Sequence, residues 1–272
     1  MKKRLCTVLA NLAAWTASLI VLVPMLVVLV NSFKSQKESM VMTLTLPEKF
    51  MFENYTTVIE RGKLLSSFFN SALYAAFSVL LILSVVSAAS YVLSRNRSRL
   101  HRVIYYLIVL GIAMPVNNVA LMKIMKATAL INTRYGLIFL YVAMNIPLAL
   151  FLMFGFVETL PREIDEAAVI DGAGPMRLFS SVIFPLMKPT IVTVGILNFM
   201  AIWNDFSMPL YFMNNSGKWP MTLAVYNFFG QFEQSWNLVS ADITLTALPV
   251  LIIFVFGQKY IVGGVSAGAV KG

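Results

Sequence analysis

Five carboxylates, Glu158, Glu163, Asp165, Glu166 and Asp171, stand in one short stretch of a chain that is 59% hydrophobic and only 12% charged. Clustered carboxylates can do acid–base work or hold a metal, but either chemistry needs further groups at suitable spacing. The chain has one histidine, His101, and one cysteine, Cys6, so no metal cluster and no Ser/His/Asp or Cys/His constellation can be assembled. No catalytic and no metal-ligating residue is therefore assigned, and a membrane enzyme is disfavoured. His101, set among arginines, reads as a solvated loop residue. What is left for the acidic residues is recognition by something on the water side.

The segment that follows reads Glu166-Ala-Ala-Val-Ile-Asp-Gly-Ala-Gly-Pro-Met-Arg-Leu-Phe-Ser-Ser-Val-Ile-Phe-Pro185. Pro161 is placed to open a helix, where its missing N–H costs nothing. Glu163, Asp165 and Glu166 then fall in the first turns and complement the positive end of the helix dipole. Ala167 and Ala168 offer a flat, small surface. Asp171-Gly172 ends that helix, and Gly174-Pro175 begins another carrying Leu178, Phe179, Val182 and Ile183. Pro185 and Pro189 mark the return into apolar sequence. The expected shape is a helix–turn–helix lying across a membrane face. An interfacial amphipathic helix with no partner is the plain alternative.

Composition sets the elements that must hold this loop. Soluble domains carry about 25% charged residues, and here the apolar residues gather into runs near the ~20 that cross a bilayer core as helix. The alternating strands of a membrane barrel do not appear. The chain reads as all-α and polytopic, a single membrane domain over 1–272 with its core at about 70–260. Six spans are expected, at about 7–30, 70–94, 103–122, 135–157, 189–210 and 241–256. The acidic loop lies between the fourth and fifth, at about 158–188. The first run is too long for a signal peptide and lacks a convincing cleavage site, so it reads as a retained span. Arg95-Asn-Arg-Ser-Arg-Leu-His-Arg102 marks the cytoplasmic side. Lys and Arg number 12 on the N-terminal side against 9 on the other, which puts both termini inside. The net charge of +9 suits headgroup anchoring in membrane lipid. With no basic helix or aromatic-interleaved basic patch, nucleic acid is not an expected partner.

Polar groups inside spans are candidates for a solute pathway. Asn145, Asn198, Asn204 and Asp205 qualify, with Tyr141 and Trp203 as faces on which a sugar could stack. Asn145 could equally serve carbonyls freed by Pro147, and Asp205 could be a headgroup-level anchor. Asn214-Asn215-Ser216-Gly217-Lys218-Trp-Pro220 is turn chemistry within a 211–239 loop. The aromatic residues Tyr226, Phe228, Phe229, Phe232 and Trp236 follow it.

Glu166-Ala167-Ala168, Asp171-Gly172-Ala173, Phe179 and Pro185 together resemble the EAA loop of ABC importer permeases. The resemblance extends to Asn198-Phe-Met-Ala-Ile-Trp-Asn-Asp-Phe206 with Pro209-Leu210, and to the tail Gln258-Lys-Tyr-Ile-Val-Gly-Gly-Val-Ser-Ala-Gly-Ala-Val-Lys-Gly272. That tail, with Asn31-Ser-Phe-Lys34, Glu53-Asn-Tyr55 and Asn70-Ser71, is similar to carbohydrate-importer permeases of the maltose-transporter type. Two departures are visible. Gly174 stands where the family often has a hydroxyl residue to cap the second helix, and Asp205 where Glu is commoner.

The resemblance implies that the loop is a coupling helix docked on a cytoplasmic ATPase through Glu166, Ala167, Ala168, Asp171, Gly172, Ala173 and Phe179. It implies a second permease subunit that is a different chain, two ATPase subunits and an extracellular or periplasmic solute-binding protein, at the bacterial cytoplasmic membrane. It also implies that Asn214, Asn215, Ser216, Gly217 and Lys218 reach into the binding protein, that the tail sits between the ATPases, and that the sugar is held largely by the other permease. No G-x-x-x-x-G-K-[ST] sequence is present, so ATP and Mg are expected on the partners and no cofactor on this chain. Two other readings stay open. One is a permease for a non-sugar solute such as glycerol phosphate, polyamine or phosphate. The other, a stand-alone channel or secondary transporter, needs a charged relay that only Asp205 and Asp242 approach.

Overall fold

Helix caps and prolines decide where this chain turns. The computed structural model describes residues 2–96, 98–228 and 235–269, with only the backbone for 2–5 and 260–269. Arg97, Phe229, Phe232 and the last residues of the tail, 270–272, lie outside the described residues. No strand occurs among the described residues. The α-helices are α1 (Lys2–Asn31), α2 (Gln36–Ser39), α3 (Glu53–Arg61), α4 (Leu64–Arg95), α5 (Arg99–Leu110), α6 (Asn118–Ala127) and α7 (Arg134–Thr159). They continue as α8 (Glu163–Ile170), α9 (Pro175–Arg177), α10 (Phe184–Leu186), α11 (Lys188–Trp203), α12 (Ser207–Phe212), α13 (Met221–Ala224) and α14 (Trp236–Ala269).

Among the described residues, four helices are long and apolar enough to cross a membrane: Cys6–Asn31, Leu64–Arg95, Arg134–Thr159 and Trp236–Lys259. The bent pair Pro175–Leu186 and Lys188–Trp203, which meet at 71°, makes a fifth when taken as one broken span. Expected spans one, two, four and six are thus continuous helices, and Pro24, Pro147 and Pro249 do not interrupt them. The expected third span, 103–122, is not continuous. It is α5 and α6 with an irregular Gly111–Asn117 between them. The residue before a proline avoids helical backbone, so Met114-Pro115 blocks propagation. Asn117 then restarts the chain, its Oδ1 accepting the N–H groups of Val119 at 3.1 Å and Ala120 at 3.0 Å. His101 is likewise not in a loop. It sits in the first turn of α5, with Nδ1 2.6 Å from the Oγ of the capping Ser98.

The fold divides into two compact units, one of residues 1–68 and 221–249, the other of 69–220 and 250–272. In the first, the Asn31-Ser-Phe-Lys34 and Glu53-Asn-Tyr55 motifs meet. Buried Asn54 donates to the carbonyls of Ser32 at 2.8 Å and Lys34 at 2.9 Å, and accepts from Asn237 at 2.9 Å. Tyr55 and Ser32 share a hydroxyl–hydroxyl bond of 2.6 Å. Lys34 is fully buried, and its Nζ reaches the carbonyl and hydroxyl of Thr43, both at 2.9 Å. α2 carries a complete capping box between Ser35 and Glu38. The Ser35 hydroxyl and the amides of Glu48 and Ser35 hold the Glu38 carboxyl down to about 2.

In the second unit, α7 packs on α11 and α5. Tyr105 of α5 stacks on Phe154 of α7 at 3.9 Å. Gly136 in the first turn of α7 is required by close approach, since a Cβ there would lie 2.0 Å from the Leu130 carbonyl oxygen.

Asn54→Ala leaves two carbonyls and the Asn237 amide without their partner, so it should cost about 2 kcal/mol. Thermal unfolding of the detergent-solubilised protein should shift down by about 4–8 °C. An unchanged midpoint would remove the Asn54 junction from the determinants of this unit.

Candidate functional site

The acidic loop is a helix–turn–helix, as its spacing predicts. Glu163, Asp165 and Glu166 occupy the first turn of α8. The helix stops at Ile170, and Gly172 takes φ +80°, the left-handed region that favours glycine. Gly174 precedes α9 in extended conformation with no side-chain cap, the consequence of glycine where a hydroxyl could stand. Leu178–Ile183 then runs as a π-helix with Leu178 and Ile183 buried, a local register the sequence does not signal.

The carboxylates divide into two groups. Glu158, Glu163, Glu166 and Asp171 are exposed. Asp165 turns inward, its Oδ2 2.8 Å from Arg95 Nη2 and its Oδ1 accepting the Tyr91 hydroxyl at 3.0 Å. Arg95, expected only to mark topology, also donates to the carbonyl of Leu160 at the end of α7, at 3.2 Å. Of the other contact candidates, Ala167 and Gly172 are exposed and Ala173 is half-buried. Ala168 is buried within the chain rather than displayed. Phe179 is half-buried, with ring contacts to Tyr91 at 5.7 Å and Phe184 at 5.9 Å. The sequence reading missed the apolar tip: Val169, Ile170 and Met176 are 59%, 85% and 78% exposed beside the acids. The local signal for it was the apolar Val-Ile pair directly before Asp171-Gly172, at the end of a short acidic helix.

Of the pathway candidates, Tyr141 and Asp205 come together, the phenol donating to Oδ2 at 3.0 Å. Asp205 also accepts the N–H groups of Ser207 at 3.2 Å and Met208 at 3.1 Å, which starts α12. The expected fifth span, 189–210, is thus two helices, α11 ending at Trp203 and α12 beginning at Ser207. Asn145 and Asn198 each donate to the carbonyl four residues back, Tyr141 and Val194, both at 2.8 Å. Asn145 therefore does not serve the position Pro147 frees. Trp203 is buried and stacks on Phe199 at 5.3 Å, while Asn204 is exposed at the end of α11.

The 214–218 turn is anchored. Asn215 Oδ1 accepts the Gly217 N–H at 2.8 Å, closing a short 3-10 turn, Ser216–Lys218. Asn70 donates to the carbonyls of Gly217 and Trp219 at 3.0 and 3.2 Å, and Tyr74 to that of Lys218 at 2.8 Å. Lys218 Nζ in turn donates to the Asn132 carbonyl. Asn214, Asn215 and Gly217 remain exposed, while Ser216 and Lys218 are half-buried.

Gly172 and Gly174 both have open space around an added Cβ, so backbone conformation alone separates them. Gly172→Ala should cost about 1–2 kcal/mol, the penalty of an L-residue in the left-handed region. Gly174→Ser should instead add a few tenths of a kcal/mol as a cap. Hydrogen-exchange protection of the Met176 and Arg177 amides should fall in the first variant and rise in the second. The same change in both would refute this assignment.

Similarity to known proteins extends over nearly the whole chain. Residues 91–266 match the family described as binding-protein-dependent transport system inner membrane component. The chain is 34% identical over 255 residues to the probable starch degradation products transport system permease protein AmyC of Thermoanaerobacterium thermosulfurigenes, spanning 93% of each. It is 32% identical over 272 residues to the melibiose/raffinose/stachyose import permease protein MelC of Bacillus subtilis, covering 99% of this chain and 97% of that one. In fold it is similar to a chain in the crystal structure of a bacterial ABC transporter involved in import of the acidic polysaccharide alginate. The TM-score is 0.83 over 96% of this chain and 98% of that one, at 22% identity. With the family model matching residues 91–266 and with identities above 30% over this length, the chain belongs to the family of inner membrane components of binding-protein-dependent transport systems.

Proposed function

We propose that this chain is the permease subunit of an ATP-driven ABC importer and forms half of the translocation pathway for a sugar or oligosaccharide. The observation that carries the reading is the exposed tip of the acidic loop. There Glu166, Asp171, Val169, Ile170 and Met176 offer charge and apolar area to one partner while Asp165 fastens the loop from behind. A surface of this kind suits docking by apolar burial framed by polar groups. Relatives named for starch degradation products and for melibiose, raffinose and stachyose support a carbohydrate cargo.

In this reading two cytoplasmic ATPases bind ATP and Mg, and closure of their interface moves α8. Two permeases, this chain and a different one, then tilt between inward-facing and outward-facing states. Both termini lie in the cytoplasm, and the C-terminal end of α14 reaches the ATPases. A solute-binding protein delivers the sugar to the opposite face, where the anchored 214–218 turn meets it as a rigid prong. Tyr141, Asn145, Asn198, Trp203, Asn204 and Asp205 belong to the pathway wall. Asn204 offers the exposed polar group, while Tyr141 and Asp205 set the shape of the wall.

Glu166→Lys should weaken association with the ATPases about tenfold or more, ~1.4 kcal/mol, without lowering the yield of folded permease. Proteoliposomes holding the wild-type complex should take up malto-oligosaccharide or raffinose only with ATP inside and binding protein outside. Uptake of phosphate, glycerol phosphate or a polyamine instead would assign the same machinery to a non-sugar cargo. Assembly unaffected by Glu166→Lys would remove the acidic tip from the docking surface.

A further inference from the structure

Only one ion pair occurs among the described residues, and it does not belong to the exposed face of the loop. Arg95 and Asp165 are 2.8 Å apart with side chains 14% and 16% exposed, so solvent screens them far less than a surface pair. Arg95 ends α4 and Asp165 sits in the first turn of α8, 70 residues later. α8 is joined by sequence to α7 on one side and to α9–α11 on the other, but to α4 only through side chains. Four contacts from α4 hold this corner, two at Asp165 of α8 and two at the flanking Leu160 and Phe179. Arg95 reaches Asp165 and the Leu160 carbonyl, Tyr91 donates to Asp165, and Tyr91 and Phe179 meet ring to ring. From the opposite direction, Arg162 Nη2 donates to the Ser94 carbonyl at 3.4 Å. The last carbonyls of a helix lack intrahelical partners and attract cations. Here the C-terminal ends of α4 and α7 each take an arginine from across the corner.

The geometry of the pair is that of a joint. The aligned N–H bond of Arg95 Nη2 goes to Leu160, whereas Asp165 Oδ2 and Arg95 Nε have no aligned hydrogen bond. Charge–charge attraction depends on distance and hardly on angle, so α8 can rotate a few degrees under load without losing α4. A fully hydrogen-bonded fork would resist that rotation.

We infer that Arg95 and Asp165, with Tyr91, are positioning residues that fasten the coupling loop to α4, so that movement imposed on α8 is delivered to a helix it does not adjoin in sequence. This rests on the reading of α8 as an ATPase-docking helix. It separates Asp165 from its neighbours: Glu166 and Asp171 face the partner, whereas Asp165 faces α4.

The test follows α4 directly, in the complete complex reconstituted in proteoliposomes. A cysteine is placed at Asn96, exposed just beyond α4, in a Cys6→Ser background, and its maleimide labelling rate is measured with and without a non-hydrolysable ATP analogue and Mg. In the otherwise native chain the rate should change about fivefold on nucleotide closure. Arg95→Gln and Asp165→Asn should abolish the change and lower transport per ATP hydrolysed, while the ATPases still co-purify and basal hydrolysis persists. The charge swap Arg95→Asp with Asp165→Arg should restore part of the response. Tyr91→Phe, which keeps the ion pair and the ring contact, should retain most of it and guards against misfolding of the charge variants. A full nucleotide response in Arg95→Gln or Asp165→Asn would overturn the proposal, as would loss of ATPase binding in both single variants, which would place the pair in the docking surface. Failure of the native chain to retain any ATPase would instead overturn the functional reading on which the proposal stands.

Discussion

The constraint on which the rest of the structure depends is that backbone N–H and C=O groups cannot be left unpaired in apolar surroundings. Long helices meet it by themselves. Each interruption has to be met by a side chain, and the interruptions here show how. Asn117 supplies the acceptor that starts α6, Thr133 the one that starts α7, and Asp205 the one that starts α12. Arg95 and Arg162 supply donors to the last carbonyls of α7 and α4. The polar residues of this chain are therefore first a set of repairs to broken backbone. Any role with solute or partner is added to that work.

The loop itself is fixed at three points. Its turn is set by one glycine in the left-handed region, its first helix carries acids at the positive end of its dipole, and its rear is fastened by a shielded ion pair. Exposed side chains at the tip are then free to be chosen for a partner, because none of them is needed to hold the loop together. Asp165 shows the converse. Its type matches its exposed neighbours, but its environment assigns it to the fold.

Much of this was legible from residues alone. The apolar runs located four continuous crossing helices, and the Pro161, Asp-Gly and Gly-Pro signals located the loop and its turn within a residue or two. The broken third span had a local signal in Met114-Pro115 and Asn117 that hydrophobicity averaging hides. The early stop of α11 had a weaker one, since an aspartate near the end of an apolar run reads equally as an anchor, a pathway group or a cap. The positions of the Ser207 and Met208 amides show that Asp205 serves backbone there.

What the sequence by itself determined was everything that depends on neighbours along the chain: the all-helical membrane class, the loop, its glycine turn, the acids in its first turn and the family. Tertiary structure decided which members of a charged cluster face outward. Arg95 and Asp165 are 70 residues apart, as are Tyr91 and Phe179 within 18 residues of that separation. A pairing at such range depends on where α4 ends relative to α8. That relation is set by helix packing, and no local periodicity, cap or turn encodes it. The Asn54–Asn237 junction and the anchoring of the 214–218 turn on Asn70 and Tyr74 have the same origin, since side chains distant in sequence satisfy backbone and amide groups that only the folded chain brings within reach.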